Sequence, residues 1–331
     1  MPRSLNMRLN FLDLLNPYSF AVMLRNSLYD RKVFKVCKLS IPVISVGNLC
    51  VGGTGKSSLV RYIAEHFSEK FHVCILSRGY KRKSKGTLLV SHRGDIKARW
   101  EEAGDEAFML AKILRNVSVV VDENRCRGSS YAINKLGAEL IILDDGFQHR
   151  KMHRDLDLLL IREKDLKDHL LPWGRLREPL SSIVRADAII LSYQDIKEWD
   201  IEVPKPVFKL YRREWKVRDI WGNPLKKVED FEFIAFAGIG DNEQFFNTLE
   251  KMRIKILKKI SFRDHYHYKN FEISSKHLYI TTLKDVVKLP PYENIYYLDY
   301  SVDVPGLLDF VEHAIIKFNR AGSSAGRATD S

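Results

Sequence analysis

The stretch SVGNLCVGGTGKSS, Ser45 to Ser58, decides how the rest of the chain is read. An apolar run (Ile41 to Val46) enters a glycine-rich loop, and an amphipathic segment from Lys56 to Phe67 leaves it. Strand, phosphate-cradling loop and helix in that order make a P-loop. The loop's backbone N–H groups converge on phosphate oxygens, and the helix N-terminus adds partial positive charge. The pattern makes Gly52, Gly53, Thr54, Gly55, Lys56, Ser57 and Ser58 the ATP-binding set, with Lys56 reaching the β/γ-phosphates and the Ser57 hydroxyl on Mg2+. One position departs from the strict pattern. Where it wants glycine, five residues before Gly55, this chain has Cys50, and Gly52 and Gly53 stand in.

Farther along, Glu139 to Leu143 reads as a strand running into Asp144-Asp145-Gly146-Phe147-Gln148-His149. Apolar residues and then an acid, following a P-loop, form a Walker B pattern that holds Mg2+ directly or through water. Between the two lie a strand, His72 to Ser77, followed by Arg78-Gly79-Tyr80, and a helix, Ala103 to Leu114, whose first turn carries Asp105 and Glu106. Ligands of open parallel sheets lie beyond the carboxyl ends of the strands. That puts Arg78, Lys81, Arg82, Lys83 and Lys85 near phosphates or a membrane surface, unless they form a solvated basic hairpin. Asp105 and Glu106 are either complements to the helix dipole or a base and a metal-side group. Val117 to Val121, Asp157 to Ile161 and Ala188 to Leu191 supply further buried strands, and Asn124 to Lys135 a helix. The loop Leu171 to Pro179 can present Arg175 and Arg177 as charge clamps.

From Ile201 to Leu225 the character changes. Two short alternating runs, Val207 to Tyr211 and Trp215 to Trp221, read as a ribbon or linker. Phe231 to Phe236 opens a second α/β pattern: strand, Gly238-Ile239-Gly240 turn, and helix to Met252. Strands follow near Lys255 to Ile260, His277 to Ile280 and Asn294 to Leu298, with a last helix from Val304 to Phe318. The run SFRDHYHY, Ser261 to Tyr268, carries His265 and His267 just after a strand, and a cleft between domains would let either face the P-loop. The expected architecture is α/β: an N-terminal amphipathic helix region (1–35), a P-loop NTPase-like domain with a parallel sheet (36–205), a β-ribbon linker (206–229) and a smaller α/β domain (230–320). The tail 321–331 reads as a cloning remnant.

A chain of 331 residues, 45% hydrophobic, has room for two ordinary domains. Its formal charge of +12 asks for an anionic partner: nucleotide, nucleic acid or lipid headgroups. No nucleic-acid module is visible, so nucleic acid is not expected. Cys37, Cys50, Cys74 and Cys126 are widely spaced, fit no zinc or redox pattern, and are expected as reduced thiols. No apolar run approaches the roughly eighteen residues of a membrane span. In Leu9 to Phe34, Pro17 suits a helix start, Phe20, Met23, Leu24 and Leu28 recur at helical spacing, and Arg25, Arg31, Lys32 and Lys35 lie nearby. Such a helix either lies in a bilayer interface or packs on the body of the protein.

The order of motifs carries more than any one of them: VGNLxVGGTGK (Val46 to Lys56), SRGY (Ser77 to Tyr80), GDE (Gly104 to Glu106), DDGFQH (Asp144 to His149), PWGRLREP (Pro172 to Pro179) and FxDH (Phe262 to His265). Together they resemble the tetraacyldisaccharide 4'-kinase family of Gram-negative bacteria over nearly the whole chain, and that family carries the same variant loop. Ser57-Ser58 departs from the family's usual threonine-proline but keeps the Mg2+-binding hydroxyl. The resemblance implies transfer of the ATP γ-phosphate to the 4'-hydroxyl of a tetraacylated glucosamine disaccharide 1-phosphate in lipid A biosynthesis. It also implies a peripheral position at the cytoplasmic face of the inner membrane, on an anionic surface, through the N-terminal helix; a monomer is expected. Asp105 would be the base, with His265 or His267 as its partner, and Lys56, Asp145 and Arg177 would join them in catalysis. Ser57, Asp144, Gln148 and Glu106 would hold Mg2+. Asn48, Arg78, Tyr80, Arg175, Arg177 and Glu178 would line the acceptor side. The competing reading is a membrane-associated P-loop ATPase switch acting through partner binding. Such switches often carry a second lysine early in the loop, and none occurs between Gly47 and Gly55.

Overall fold

The computed structural model describes residues 16–321 in full and the backbone of residues 3–4 and 322–327. The readings on the helix region before residue 16 and on the end of the tail lie outside the described residues. The first body is built on a sheet whose strands are β1 (Val43–Asn48), β2 (Val73–Ser77), β3 (Leu88–His92), β4 (Asp95–Ile96), β5 (Ser118–Val121), β6 (Leu140–Asp144), β7 (Leu156–Ile161), β8 (Ala188–Leu191) and β9 (Val207–Lys209). Their spatial order is β9-β8-β7-β1-β6-β2-β5-β3-β4. All neighbours from β9 through β5 run parallel, while β3 and β4 close the edge antiparallel. The central strands β1, β6 and β7 are buried along their whole length. That burial explains runs such as Leu140 to Leu143, apolar on both faces because helices cover both. The β3–β4 hairpin has no counterpart in the sequence reading, because a short apolar run behind a basic loop carries no clear period.

The main helices of this body are α1 (Pro17–Asp30), α2 (Lys56–Phe67), α3 (Asp105–Ile113) and α4 (Arg125–Leu136), with a single turn at Trp100–Ala103 before α3. Asn16 caps α1 by accepting from the Tyr18 N–H, and Pro17 sits where its missing N–H costs nothing. α1 buries Ser19 and Val22 but leaves Phe20, Met23 and Leu24 exposed at 69%, 43% and 50%. Among the described residues no helix is long and apolar enough to cross a membrane. α2 buries Leu59, Val60, Ile63, Ala64 and Phe67, a stripe at helical spacing that packs on the sheet.

A second sheet contains β10 (Tyr211–Asp219), β11 (Glu232–Ala237), β12 (Lys255–Ser261), β13 (Leu278–Thr282) and β14 (Ile295–Asp303), in the order β10-β14-β13-β11-β12. Helices α5 (Asn242–Lys251), α6 (Leu283–Val286) and α7 (Leu307–Arg327) complete the fold. The two runs expected to form a ribbon do not pair with each other. β9 extends the first sheet beside β8, whereas β10 runs antiparallel to β14, with Tyr211 opposite Asp303. Buried Leu210 separates them. The strand that pairs with β10 comes from the far end of the second body. The last helix also departs from expectation. Its Leu307, Val311 and Ile315 pack in the core of the first body with Leu59, Val60 and Ile63, and Glu312 pairs with Lys70 at 2.6 Å.

The cysteine expectation needs a correction. Cys37 and Cys126 form a disulfide across 89 residues, while Cys50 and Cys74 are buried free thiols. Cys37 bridges to Met152 on the segment before β7, and that segment runs past the start of α4. Spacing rules could not see this contact, because tertiary topology brings the two thiols together.

Candidate active site

The P-loop leaves β1 and enters α2 through two glycines in the left-handed region, Gly52 (φ 101°) and Gly55 (φ 89°), where a side chain would be strained. The Gly53 and Thr54 carbonyls of the loop are held by side chains of the first body. Arg162 donates to the Gly53 carbonyl (3.0 Å), Tyr193 donates to the same oxygen (3.1 Å), and the Ser192 hydroxyl donates to the Thr54 carbonyl (2.8 Å). Arg162 also donates to Cys50 Sγ (3.0 Å), and burial pushes that thiol up to about 11. Cys50 is thus a neutral packing residue under the loop. Asn48 lies buried at the end of β1, donating to Thr54 Oγ1 (2.9 Å). Ser58 meets the Tyr300 hydroxyl of β14 at 2.9 Å.

The ends of β6 and α3 bring the acids to this loop. Asp144 is buried, and its Oδ1 has no hydrogen-bond partner. Burial, with the Glu106 and Asp145 charges beside it, pushes its carboxyl up to about 7. Asp145 sits in the left-handed region at φ 54°, an uncommon conformation for a non-glycine residue. Burial works against its charge, but Lys56 at 3.6 Å and two 2.7 Å bonds from Arg177 hold its carboxyl well below the usual range. Arg177 also donates to the Asn48 side chain. The SRGY and GDE motifs are packed together, since a Cβ on Gly104 would come within 2.8 Å of the Tyr80 carbonyl.

The second body supplies the opposite wall. His265 Nδ1 lies 2.7 Å from Asp105 Oδ2, and its own backbone is left-handed at φ 63°. Lys284 and Lys288 each stand 3.9 Å from the same oxygen. Burial would raise the Asp105 carboxyl, but the His265 hydrogen bond and the two lysines outweigh it and hold it at about 2. The Tyr80 ring lies 5.3 Å from the His265 ring.

These groups line a cleft of about 710 Å3 between the two bodies. The cleft brings together Gly52 through Ser58, Arg78, Tyr80, Glu106, Asp144, Asp145, Arg177 and His265, with Asp105 bonded just behind. Five expected residues lie elsewhere. His267 packs its ring against Trp100 at 5.0 Å. Gln148 donates to the Asn48 carbonyl (2.8 Å), and Asn48 is sealed beneath the loop. Glu178 is fully buried, accepting from Arg25, Asn26, Ser182 and Arg185. Arg175 is exposed at the outer rim, donating to the Val51 carbonyl at 3.3 Å. The sequence reading missed Lys284 and Lys288, and quoted Asp264 only as the acid of FxDH. The signal was there in TTLKDVVK, Thr281 to Lys288, where two lysines flank an acid just after a buried strand.

The sequence profile of the family described as tetraacyldisaccharide-1-P 4'-kinase, LpxK, matches residues 8–316. A tetraacyldisaccharide 4'-kinase of Aquifex aeolicus is 50% identical over 287 residues, covering 86% of this chain and 91% of its own length. That of Chlorobaculum parvum is 40% identical over 272 residues, covering 78% and 75%. A crystal structure of Aquifex aeolicus LpxK in complex with ATP superposes with a TM-score of 0.85 at 47% identity, covering 91% of this chain and 96% of that one. A partner-binding ATPase switch is not favoured by these matches. The chain belongs to the tetraacyldisaccharide-1-P 4'-kinase family, and is an ATP-dependent phosphotransferase of lipid A biosynthesis acting on the 4'-hydroxyl of the tetraacyldisaccharide 1-phosphate.

Proposed function

We propose that Asp105 accepts the proton of the acceptor 4'-hydroxyl while the P-loop holds the ATP γ-phosphate in line with it. The observation that carries this reading is the 2.7 Å contact from Asp105 to His265, which joins the two bodies across the cleft. His265 orients the carboxylate; His267, turned to Trp100, takes no part. A carboxylate held at about 2 is a weak base toward an alcohol. In a loose transition state the proton leaves late, so positioning counts for more than basicity. Lys56 and the loop N–H groups bind the β/γ-phosphates. Arg177, paired with Asp145 at 2.7 Å, serves the transferring charge or the lipid's 1-phosphate, and Asp145 orients the acceptor side. Arg78 and Tyr80 line the acceptor path, and Arg175 can reach it only from the rim.

The donor set fits Mg2+. Asp144 presents a buried, unpartnered oxygen on a carboxyl raised to about 7, a group short of a cation. Mg2+ takes one or two protein oxygens and leaves its other positions to phosphates and water. Asp144 and Ser57 would hold it, with Glu106 facing them; Gln148 instead supports the Asn48 carbonyl. Bound there, the ion would neutralise charge on the β- and γ-oxygens.

The protein is read as a monomer seated peripherally on the anionic cytoplasmic face of the inner membrane, and the exposed Phe20, Met23 and Leu24 of α1 support the membrane seat. The test of the chemistry is Asp105→Asn, assayed by transfer of label from ATP to the disaccharide lipid. Turnover should drop by about 1,000-fold while ATP affinity stays. Near-parental turnover would remove Asp105 from the role.

A further inference from the structure

Lys284 stands in the cleft wall supplied by the second body, and none of the roles above uses it. Its ammonium lies 3.1 Å from Glu106 Oε1, 3.5 Å from Asp264 Oδ1 and 3.9 Å from Asp105 Oδ2, and the side chain is only 17% exposed. Lys288, on the other side of Asp105, is a different case. It is committed to Asp285 at 2.8 Å and to the Tyr266 carbonyl at 3.1 Å, under the Tyr268 ring. Lys288 is locked in place. Lys284 is paired, among the described residues, with the carboxylates of Glu106, Asp264 and Asp105 at the cleft, which a bound anion can replace.

The turn that carries Lys284 is rigid and close to the phosphate loop. The Thr282 hydroxyl accepts from the Asp285 N–H (3.2 Å) and donates to Asp285 Oδ2 (2.8 Å), which also accepts from the Gly238 N–H (2.9 Å). Gly238 opens the turn to Gly240, where a Cβ would meet the Gly53 nitrogen at 4.0 Å and Asp264 at 3.7 Å. Hydrogen bonds therefore tie the base of Lys284 to a turn that abuts the P-loop. Lys56 and Lys284 line the same cleft, one from each body.

We infer that Lys284 is a further catalytic cation beside Lys56 and Arg177, which leaves Glu106 for the γ-phosphoryl group when ATP is bound and stabilises the charge on its equatorial oxygens during transfer. The inference rests on the reading of Asp105 as the base. In the step, the acceptor oxygen bonds to the γ-phosphorus, and the β,γ-bridging P–O bond breaks with its electron pair leaving on ADP. The hydroxyl proton passes to Asp105. Lys284 exchanges no proton and contributes charge alone. A cation poised in advance where charge develops costs no reorganisation at the moment of reaction.

The test uses the full chain carrying Lys284→Met, Lys284→Gln or Lys284→Arg. Lys284→Met should lower kcat by about 100- to 1,000-fold, with KM for ATP within about threefold of the parent. Lys284→Arg should recover about tenfold or more of that loss, since charge is kept but geometry changes. Calorimetry in magnesium buffer supplies a readout that a merely structural latch would not move. ADP with aluminium fluoride should bind at least about tenfold more weakly to Lys284→Met, while ADP alone binds as before. Parental turnover, or equal weakening of ADP and of ADP with aluminium fluoride, overturns the inference. Lys284→Gln is read by the same two outcomes should the methionine variant not fold. Asp105→Asn run in parallel separates the two readings: an active Asp105→Asn retires the base, and a silent Lys284→Met beside an inactive Asp105→Asn retires the lysine alone.

Discussion

Asp144 and Asp105 are both buried carboxyls of one cleft, yet their surroundings push them in opposite directions. At Asp144 burial and the like charges of Glu106 and Asp145 outweigh Lys56 and Arg125, so it is raised to about 7. Protonated Asp144 cannot hold a cation, so kcat/KM should fall as pH drops through about 7, by up to about tenfold per unit. More magnesium should move that limb to lower pH, which profiles at two magnesium concentrations would check. Asp105, at about 2, stays ionised across this range and adds no limb. Its folded pKa lies below its ordinary 3.8, so the stability it brings is present above that value and is lost as pH falls through about 2. The two histidines divide as sharply. His265→Ala should cost about 100-fold in turnover and His267→Ala less than about threefold, measured at saturating ATP. Sequence could not choose between them, because residues two apart share a face of an extended segment. The left-handed backbone at His265 breaks that alternation and sends the two rings to different neighbours. Motif order was enough to bring Asp105, Asp144 and Lys56 to one cleft. Asn48 and Glu178 were misplaced because a motif does not say which of its polar residues merely hold the loop together.

Among the elements, α1 and the disulfide extend what local pattern can say. The apolar spacing on α1 was legible, and Phe20, Met23 and Leu24 do face outward. Replacing Phe20 and Met23 by Asp should weaken binding to anionic vesicles by at least about tenfold, read by co-sedimentation, because the buried apolar area is lost and negative charge is added. Basal turnover on detergent-dispersed acceptor should change far less. The Cys37–Cys126 bond was not legible, since 89 residues separate its ends. A loop of that length, once opened, gives the unfolded chain much more freedom. Cys37→Ser should therefore lower the unfolding free energy by about 2–4 kcal/mol under oxidising conditions, checked by denaturant titration. The same titration with reductant should bring parent and variant together.

At the scale of the molecule, the period of α7 announced a buried face without saying against what. Periodicity cannot name a partner. The strands of both bodies could be read one by one from apolar runs and the acids or turns that follow them. The ownership of the last helix and the strand that pairs with β10 could not, because both are set by contacts far apart in sequence. Leu307 is fully buried in the nucleotide body. Leu307→Ala should cost about 2–5 kcal/mol and lower the stability of that body, where the sequence reading would have placed the damage in the second. Hydrogen exchange of β1 and α2 against β11 and β13 distinguishes the two outcomes.

Tyr211 and Asp303 lie opposite each other in one antiparallel ladder, and Leu210 and the helix from Leu307 both belong to the nucleotide body. The second body is therefore a cassette spliced into a host fold, leaving and rejoining it through adjacent strands. Any closure over the triphosphate must bend those two strands together, which permits a swing and resists a slide. The same geometry lets the cassette be excised by joining Leu210 to Val304 through a short glycine linker, leaving a host that still owns its final helix.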